Sequence, residues 1–359
     1  MHEFELLKSF IIILGVSAVV VFLLHRLNIP SIVGFLLAGV LLGPHELGFI
    51  KDTVTIQTFA EIGVILLLFT IGLEFSLSRS LKMKAEVFGI GGLQVLIAVA
   101  LTALISYSWL GTANTAIFIG FLVALSSTAI VMKLLSERAE LESPHGRISV
   151  GILIFQDLCV VPFMLLIPIM SVGGGEPLTV ILALAKALGI IALVLLSARW
   201  LVPNILHQIV HTRSHELFVI TILILCFGTA FITSEFGLSL ALGAFLAGLV
   251  ISDSEYAHET ISVILPFKDS FSGLFFISIG MLLNVSFFLK NLFLIFLIVF
   301  GIIIIKWLSV FFSVSLTGRP VRTSIQSGVN LAQIGEFSFV LALAGLSSGL
   351  ITDSMYQTF

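Results

Sequence analysis

VGILIFQDLCVVPFMLLIP (150–168) is an apolar run with two polar residues, Gln156 and Asp157, near its middle. From Ser149 to Gly175, Asp157 is the sole charge. An aspartate at the centre of a membrane helix costs about 2.5–3.5 kcal/mol on insertion. Such residues face a bundle interior or a wet cavity, and by default they mark an ion or proton path. The blander reading is a protonated carboxyl that only hydrogen-bonds a neighbouring helix.

The rest of the chain sets that run in a membrane. Its 359 residues are 58% hydrophobic and 10% charged, where a soluble domain carries roughly 25% charged residues. Lipid offers no partners to a backbone, so spans are helices or a closed barrel, and apolar runs of this length mean helices. The fold class is therefore an all-α polytopic membrane protein. A net charge of −3 gives no sign of nucleic acid as a partner. Cys159 and Cys226 both lie in apolar runs and read as small packing residues, not as a disulfide or a transition-metal pair. Glu3 and Glu5 precede the first span with no small-residue cleavage site after it, so that span is expected to stay in the mature protein.

Twelve spans are expected: 7–25, 30–43, 55–75, 86–108, 114–136, 147–171, 178–199, 216–234, 238–252, 267–285, 289–316 and 322–347. Loops after odd-numbered spans hold twelve Lys and Arg residues; the N-terminus and the remaining loops hold Lys8, Lys51 and Lys290. By the positive-inside rule the N-terminus lies outside the cytoplasm.

Spans two and nine, IVGFLLAGVLLG and LGAFLAGLVIS, are both short and glycine-rich, and Gly39 matches Gly248 at an offset of 209. Span three ends in FTIGLEFS and span ten carries ISIGMLLNVS, matching Gly72 with Gly280 at an offset of 208. Two matches in successive spans indicate an internal repeat of six-span halves separated by span seven. The odd number of spans between their starts inverts the second half, an architecture common in secondary transporters. A second half beginning at 216 should end in a thirteenth helix matching the Asp157 span. The sequence stops at Phe359, so the chain is expected to be a fragment.

Span five, FLVALSSTAIVMKLL, is interrupted by Ser126, Ser127 and Thr128. The repeat offset carries Ser127 and Thr128 to Gly335 and Glu336, in the polar middle of span twelve, NLAQIGEFSFVLA, beside Gln333. Matched interruptions point to two discontinuous helices flanking a binding site, with carbonyls bared for a cation. The alternative for the hydroxyls is back-bonding to their own helix. Asp157 and Lys306 each lie ten residues from the cytoplasmic end of a span, about 15 Å deep at 1.5 Å per residue. Lys306 is too deep to snorkel easily to the interface, and Asp157 or Glu336 is its expected partner.

The motifs FAEIG…FTIGLEFS (59–76), ALSSTAIVMK (124–133), GR…ILIFQD…P (146–162), GLSLALGAFLAG (237–248), PFK…GLFFISIGM (266–281) and QIGEFSFVLA (333–342) carry a resemblance that runs essentially end to end. The chain resembles the Kef-type branch of the cation:proton antiporter-2 family. The resemblance implies a sodium/proton antiporter-like fold and a homodimer in a bacterial inner membrane, with dimerisation or scaffold helices at 1–80 and 216–285. It implies core transport helices at 86–171 and 289–359, with 178–199 as a linker helix, and an elevator-like cycle. By resemblance Asp157 holds the ion, Ser126, Ser127 and Thr128 are the crossover hydroxyls, and Lys306 is the core lysine. Electrogenic relatives carry two adjacent aspartates, and here the first position is Gln156.

With one carboxylate, Asp157 can hold one proton or one potassium (or sodium) ion, which implies one-for-one exchange. Asp157, Gln156, Ser127, Thr128 and bared carbonyls would supply oxygens to the cation. The segment 253–268, DSEYAHETISVILPFK, resembles the family's cytoplasmic regulatory loop, with Asp253, Glu255, His258 and Glu259 as its charged positions. In glutathione-gated members the part occupied here by Ser262, Val263 and Leu265 is more acidic. No cofactor is expected in this chain; a nucleotide would bind a missing C-terminal regulatory domain, and an ancillary subunit is a further expected partner. The alternatives are a sodium/proton exchanger of the same fold and a gated cation channel, though no TVGYG-like filter is present. An intramembrane enzyme lacks an HExxH or GxSxG pattern to stand on. His207, His211 and His215 recur every fourth residue in what reads as a cytoplasmic loop, as a solvated surface, a pH-sensing stripe or a metal site.

Overall fold

The computed structural model describes residues 2–27, 29–44, 48, 53–74, 83–171, 177–236 and 238–359. Lys51, Arg79 and Lys82, used above for orientation, lie outside the described residues. Among the described residues the regular structure is helical. It forms two compact units, Met1–Phe75 with Leu188–Lys290, and Ser76–Ala187 with Asn291–Phe359.

The first unit contains α1 (His2–His25), α2 (Ser31–Leu42) and α3 (Thr53–Glu74). The second contains α4 (Ala85–Leu110), whose first segment Ala85–Gly91 is π-helical, then α5 (Ala113–Ala124), α6 (Thr128–Glu137) and α7 (Pro144–Ser171). The unit boundary falls within α8 (Pro177–His211). The first unit resumes with α9 (His215–Glu235), α10 (Leu240–Ser252), α11 (Ala257–Leu282) and the short α12 (Val285–Lys290). The second unit is completed by α13 (Leu292–Ser315), α14 (Val321–Leu331), α15 (Glu336–Ser347) and α16 (Asp353–Thr358).

Every expected span has a helix at its place. Among the described residues six helices are long and apolar enough to cross a bilayer, and α14 with α15, bent by 54°, makes a seventh. Expected spans one, two and nine correspond to the shorter apolar helices Phe10–His25, Ser31–Leu42 and Leu240–Ser252. Large apolar side chains such as Leu104, Leu196, Phe293 and Phe296 are exposed along these helices. That is the surface a multi-pass protein turns to lipid.

Two readings need correction. The segment 253–268 is not a loop, because α11 begins at Ala257 and runs through Pro266. Asp253 is the C-cap of α10, while His258 and Glu259 lie in the first turn of α11. Lys268, expected in the loop, sits in this helix with Nζ 3.7 Å from Glu74 Oε1. The linker helix likewise continues past 199 to His211, so His207 and His211 stand on a helix whose rings are 4.3 Å apart, and His215 starts the next one. Both errors have one cause: hydropathy reports where lipid ends, while hydrogen bonding and propensity decide where a helix ends.

The repeat glycines are the joints of the first unit. A Cβ on Gly39 of α2 would overlap the Ile277 carbonyl of α11, and one on Gly280 would overlap the Leu36 carbonyl of α2. In the same way Gly72 of α3 meets the Phe245 carbonyl of α10, and Gly248 of α10 meets the Phe69 carbonyl of α3. The repeat relates Gly39 to Gly248 and Gly72 to Gly280, so the α2–α11 crossing is the counterpart of the α10–α3 crossing. Small residues permit this backbone approach, which drives helix association in lipid where no hydrophobic effect operates. Around the α3–α10 joint, Leu66, Phe69, Ile222, Cys226, Ala247, Ile251 and Ile264 form a buried core.

The core of the second unit gathers Ile90, Val131, Leu135, Ile148, Ile152, Leu153, Val310, Val314 and Leu331 from α4, α6, α7, α13 and α14. It holds two helix breaks beside the middle of α7.

Candidate functional site

The first break follows from the hydroxyl run. After Ala124 the chain turns extended at Leu125 (φ −85°, ψ 143°), and Ser127 (φ −73°, ψ 110°) caps α6 by accepting a hydrogen bond from the Ile130 N–H at 3.3 Å. Serine at such a position offers the backbone a non-helical alternative, which is why it favours caps over helix interiors. The second break runs from Ala332 (φ −76°, ψ 54°) to Gly335 (φ −94°, ψ 166°), and Glu336 opens α15.

The breaks cross at the positions the repeat relates. The Gly335 N–H donates to the Leu125 carbonyl at 3.2 Å, and Gln333 Nε2 donates to the Ser127 carbonyl at 3.3 Å. In return Ser126 Oγ donates to the Leu331 carbonyl at 3.1 Å. The carbonyls left over at the end of α5 are also met: Ser338 Oγ donates to Leu122 O at 2.7 Å, and Lys306 Nζ donates to Ala124 O at 2.7 Å. An ammonium at a helix C-terminus complements its partial negative charge. The wholly buried Lys306, for which a carboxylate partner was expected, thus bonds a carbonyl at the break.

Asp157, midway along α7, meets the start of α6. Thr128 Oγ1 lies 3.1 Å from Asp157 Oδ1 and 3.0 Å from Oδ2. A carboxylate at a helix N-terminus is favoured by the dipole. Thr128 and Asp157 are half-buried, whereas Ser126, Ser127, Gln156 and Lys306 are buried. Of the expected oxygen ligands, the structure thus joins Thr128 and Asp157. Ser126 and Ser127 have their hydroxyls engaged with backbone.

Gln156, expected among the oxygen ligands of the cation, is engaged in a buried amide chain. Its Oε1 accepts from the Ser126 N–H at 2.7 Å and its Nε2 donates to Gln94 Oε1 of α4 at 2.8 Å. Gln94 in turn donates to Ser309 Oγ of α13 at 3.3 Å. Gln94 and Ser309 were not singled out from sequence, although Gln94 is a lone amide in an apolar span, GLQVLIAVAL. At the second break, Asn330 Nδ2, Gln333 Oε1 and Glu336 Oε2 are buried and make no hydrogen bond among the described residues. Among the described residues no cluster of His, Cys, Asp and Glu fits a metal ion.

Two crossed breaks beside one carboxylate in an apolar helix offer oxygens of the kind a small cation or a proton would need. The family described as sodium/hydrogen exchanger, transmembrane, matches residues 11–359. This chain belongs to that family. Sodium/hydrogen exchangers are transporters, not enzymes. Over 357 residues the chain is 37% identical to the glutathione-regulated potassium-efflux system protein KefC of Salmonella heidelberg (strain SL476), covering 98% of this chain and 57% of the relative. It is 37% identical over 334 residues to the chloroplastic K(+) efflux antiporter 1 of Arabidopsis thaliana, covering 90% of this chain and 28% of that protein. The chain thus spans about half the length of the bacterial relative, and less of the plant one. The exchanger fold is shared with the sodium proton antiporter MjNhaP1 from Methanocaldococcus jannaschii, at a TM-score of 0.73 and 20% identity over 99% of this chain and 92% of that one.

Proposed function

We propose that this chain is the membrane part of a potassium/proton antiporter in which Asp157 holds either a proton or a dehydrated cation. The observation that carries this reading is the pair Thr128 and Asp157, half-buried beside two crossed helix breaks. Protonated, Asp157 is neutral; ionised, it offers two oxygens to a cation, and Thr128 can turn its hydroxyl oxygen toward the same ion. One carboxylate can serve one proton or one monovalent cation, so exchange is one for one. Potassium is favoured over sodium by the names of the relatives at 37% identity, both potassium-efflux proteins.

The further parts of the reading rest on the resemblance and the charge count. They are a homodimer in a bacterial inner membrane with the N-terminus outside the cytoplasm, and an elevator-like cycle. On this reading the scaffold helices are those of 1–80 and 216–285, the transport helices those of 86–171 and 289–359, and 178–199 is the linker. Regulation would come from a cytoplasmic nucleotide-binding domain or an ancillary subunit acting near Asp253, Glu255, His258 and Glu259. No cofactor is required by the transport step.

The test is cation-driven dequenching of a pH dye in proteoliposomes, run with potassium, sodium and rubidium. Saturable proton movement coupled to potassium, lost in Asp157→Asn, is the expected result. Coupling to sodium alone would replace the potassium reading with a sodium/proton exchanger. Undiminished coupled flux in Asp157→Asn would sink the assignment of Asp157.

A further inference from the structure

The amides of Gln94 and Gln156 form a chain whose direction is fixed at one end. A backbone N–H can only donate, so Gln156 must present Oε1 to Ser126. Its Nε2 therefore faces Gln94, which must answer with Oε1 and turn its own Nε2 to Ser309 Oγ. The Ser309 hydroxyl proton goes to the Lys306 carbonyl at 2.8 Å, leaving its oxygen free to accept. Each link is of the only sense available, so neither amide can flip without opposing two acceptors or two donors. Gln94, Gln156, Ser309 and Lys306 are all 0% exposed, so water cannot substitute for a lost link.

This chain ends on the sequence neighbours of both ion-site residues. Gln156 is adjacent to Asp157, and Ser126 lies two residues before Thr128. The Gln156–Ser126 bond is thus a strut between the carboxylate's helix and the first break, and Gln94, by accepting from Gln156 Nε2, holds the amide in the sense that the Ser126 N–H requires. We infer that Gln94 is a positioning residue for the ion site, setting cation affinity and selectivity by locking the Gln156 amide against the Ser126 N–H. This rests on the antiporter reading above. Gln94 touches neither Asp157 nor the ion; it acts through Gln156.

The experiment compares Gln94→Met, Gln94→Glu, Gln156→Met and the double variant Gln94→Met/Gln156→Met in proteoliposomes, with potassium, sodium and rubidium as the driving cations. Gln94→Met keeps the volume and removes both bonds. It is expected to raise the apparent KM for potassium about fivefold or more, to change the potassium-to-sodium ratio, and to leave the maximal rate within about twofold. Because the two amides act in series, the double variant should be no worse than Gln156→Met alone. Gln94→Glu can take both bonds while its carboxyl is protonated, so its KM should match the unaltered protein at acid pH and diverge as pH rises. Unchanged affinity and selectivity in Gln94→Met, or a double variant equal to the product of the singles, would overturn the inference.

If Gln94→Met does not fold, Gln94→Glu and Ser309→Ala decide. A ratio of the Gln94→Glu KM to that of the unaltered protein that does not change with pH, together with an unaffected Ser309→Ala, overturns the inference, and a ratio that grows as pH rises supports it. Cation-dependent shifts in melting temperature of the purified protein separate the two levels. An unaltered protein that neither moves nor is stabilised by potassium, sodium or rubidium sinks the antiporter reading and this inference with it. Normal responses in the unaltered protein and equally in Gln94→Met sink the role of Gln94 alone.

Discussion

Gly335 donates its N–H to the carbonyl of Leu125 at 3.2 Å, so the two helix breaks are stitched directly to each other. A Cβ at Gly335 would stand 2.6 Å from the carbonyl carbon and oxygen of Ser126. Gly335→Ala must therefore push one break off the other. Overpacking of this kind costs about 1–3 kcal/mol, and a fall of a few degrees in the melting temperature with a larger loss of transport is expected. Thermal unfolding and dye dequenching on the same preparation check it.

Thr128→Val removes the hydroxyl that bonds both oxygens of Asp157 while keeping the shape of the side chain. Hydrogen bonds to charged groups are worth about 1.5–3 kcal/mol. The apparent KM for the cation should accordingly rise on the order of tenfold or more, with Thr128→Ser close to the unaltered protein. Initial rates against potassium concentration would show it.

Competition between a proton and a cation at one carboxylate has a definite sign. Protonation removes the charge the cation needs, so acid conditions weaken apparent cation affinity and alkaline conditions strengthen it. On the acid limb the apparent KM should rise about tenfold per pH unit while the maximal rate at saturating cation holds. A maximal rate that falls with an unchanged KM would point to a proton site separate from the cation site.

Lys306 is wholly buried and bonds the Ala124 carbonyl at the end of α5. A methionine of similar volume leaves no cavity at this position, and the orphaned carbonyl costs about 1–3 kcal/mol. Lys306→Met is expected to fold with a modest loss of stability. Lys306→Glu would face a carboxylate with a carbonyl oxygen at the negative end of a helix, and a loss of about 3–5 kcal/mol is expected. Yield and melting temperature in detergent distinguish the two.

Gly228 and Gly248 lie in neighbouring helices of one unit and should respond in opposite directions to alanine. Nothing lies within 4 Å of a Cβ at Gly228, inside α9. There Gly228→Ala gains about 0.5–1 kcal/mol of helix stability. At Gly248 the added methyl meets the Phe69 carbonyl, and Gly248→Ala should lose about 1–3 kcal/mol. Paired melting curves test the difference.

The parts of this structure legible in the sequence are those written in spacing. Apolar run length fixed the helices, and the offset near 208 between Gly72 and Gly280 announced both the repeat and the second break. Lys306 and Asp157 stood out because charge in an apolar run has few reasons to exist. Partners were not legible in the same way. Lys306 bonds Ala124, 182 residues away, through a carbonyl that only the helix break exposes. Gln156 resembled a ligand because amide oxygens bind cations, yet its carboxamide is engaged by Ser126 and Gln94. Periodicity identifies a face; it cannot say which of several oxygens is already occupied.

The π-helical segment Ala85–Gly91 at the head of α4 bears on that last point. A π turn holds more residues than an α turn, and in an α-helix each residue advances the azimuth by about 100°. The wider turn therefore resets the angular phase of everything that follows it. Gln94 begins three residues later and meets Gln156 across 2.8 Å. The compass bearing of that amide is thus set upstream, and a wheel diagram drawn as continuous α-helix from Ala85 would aim it elsewhere.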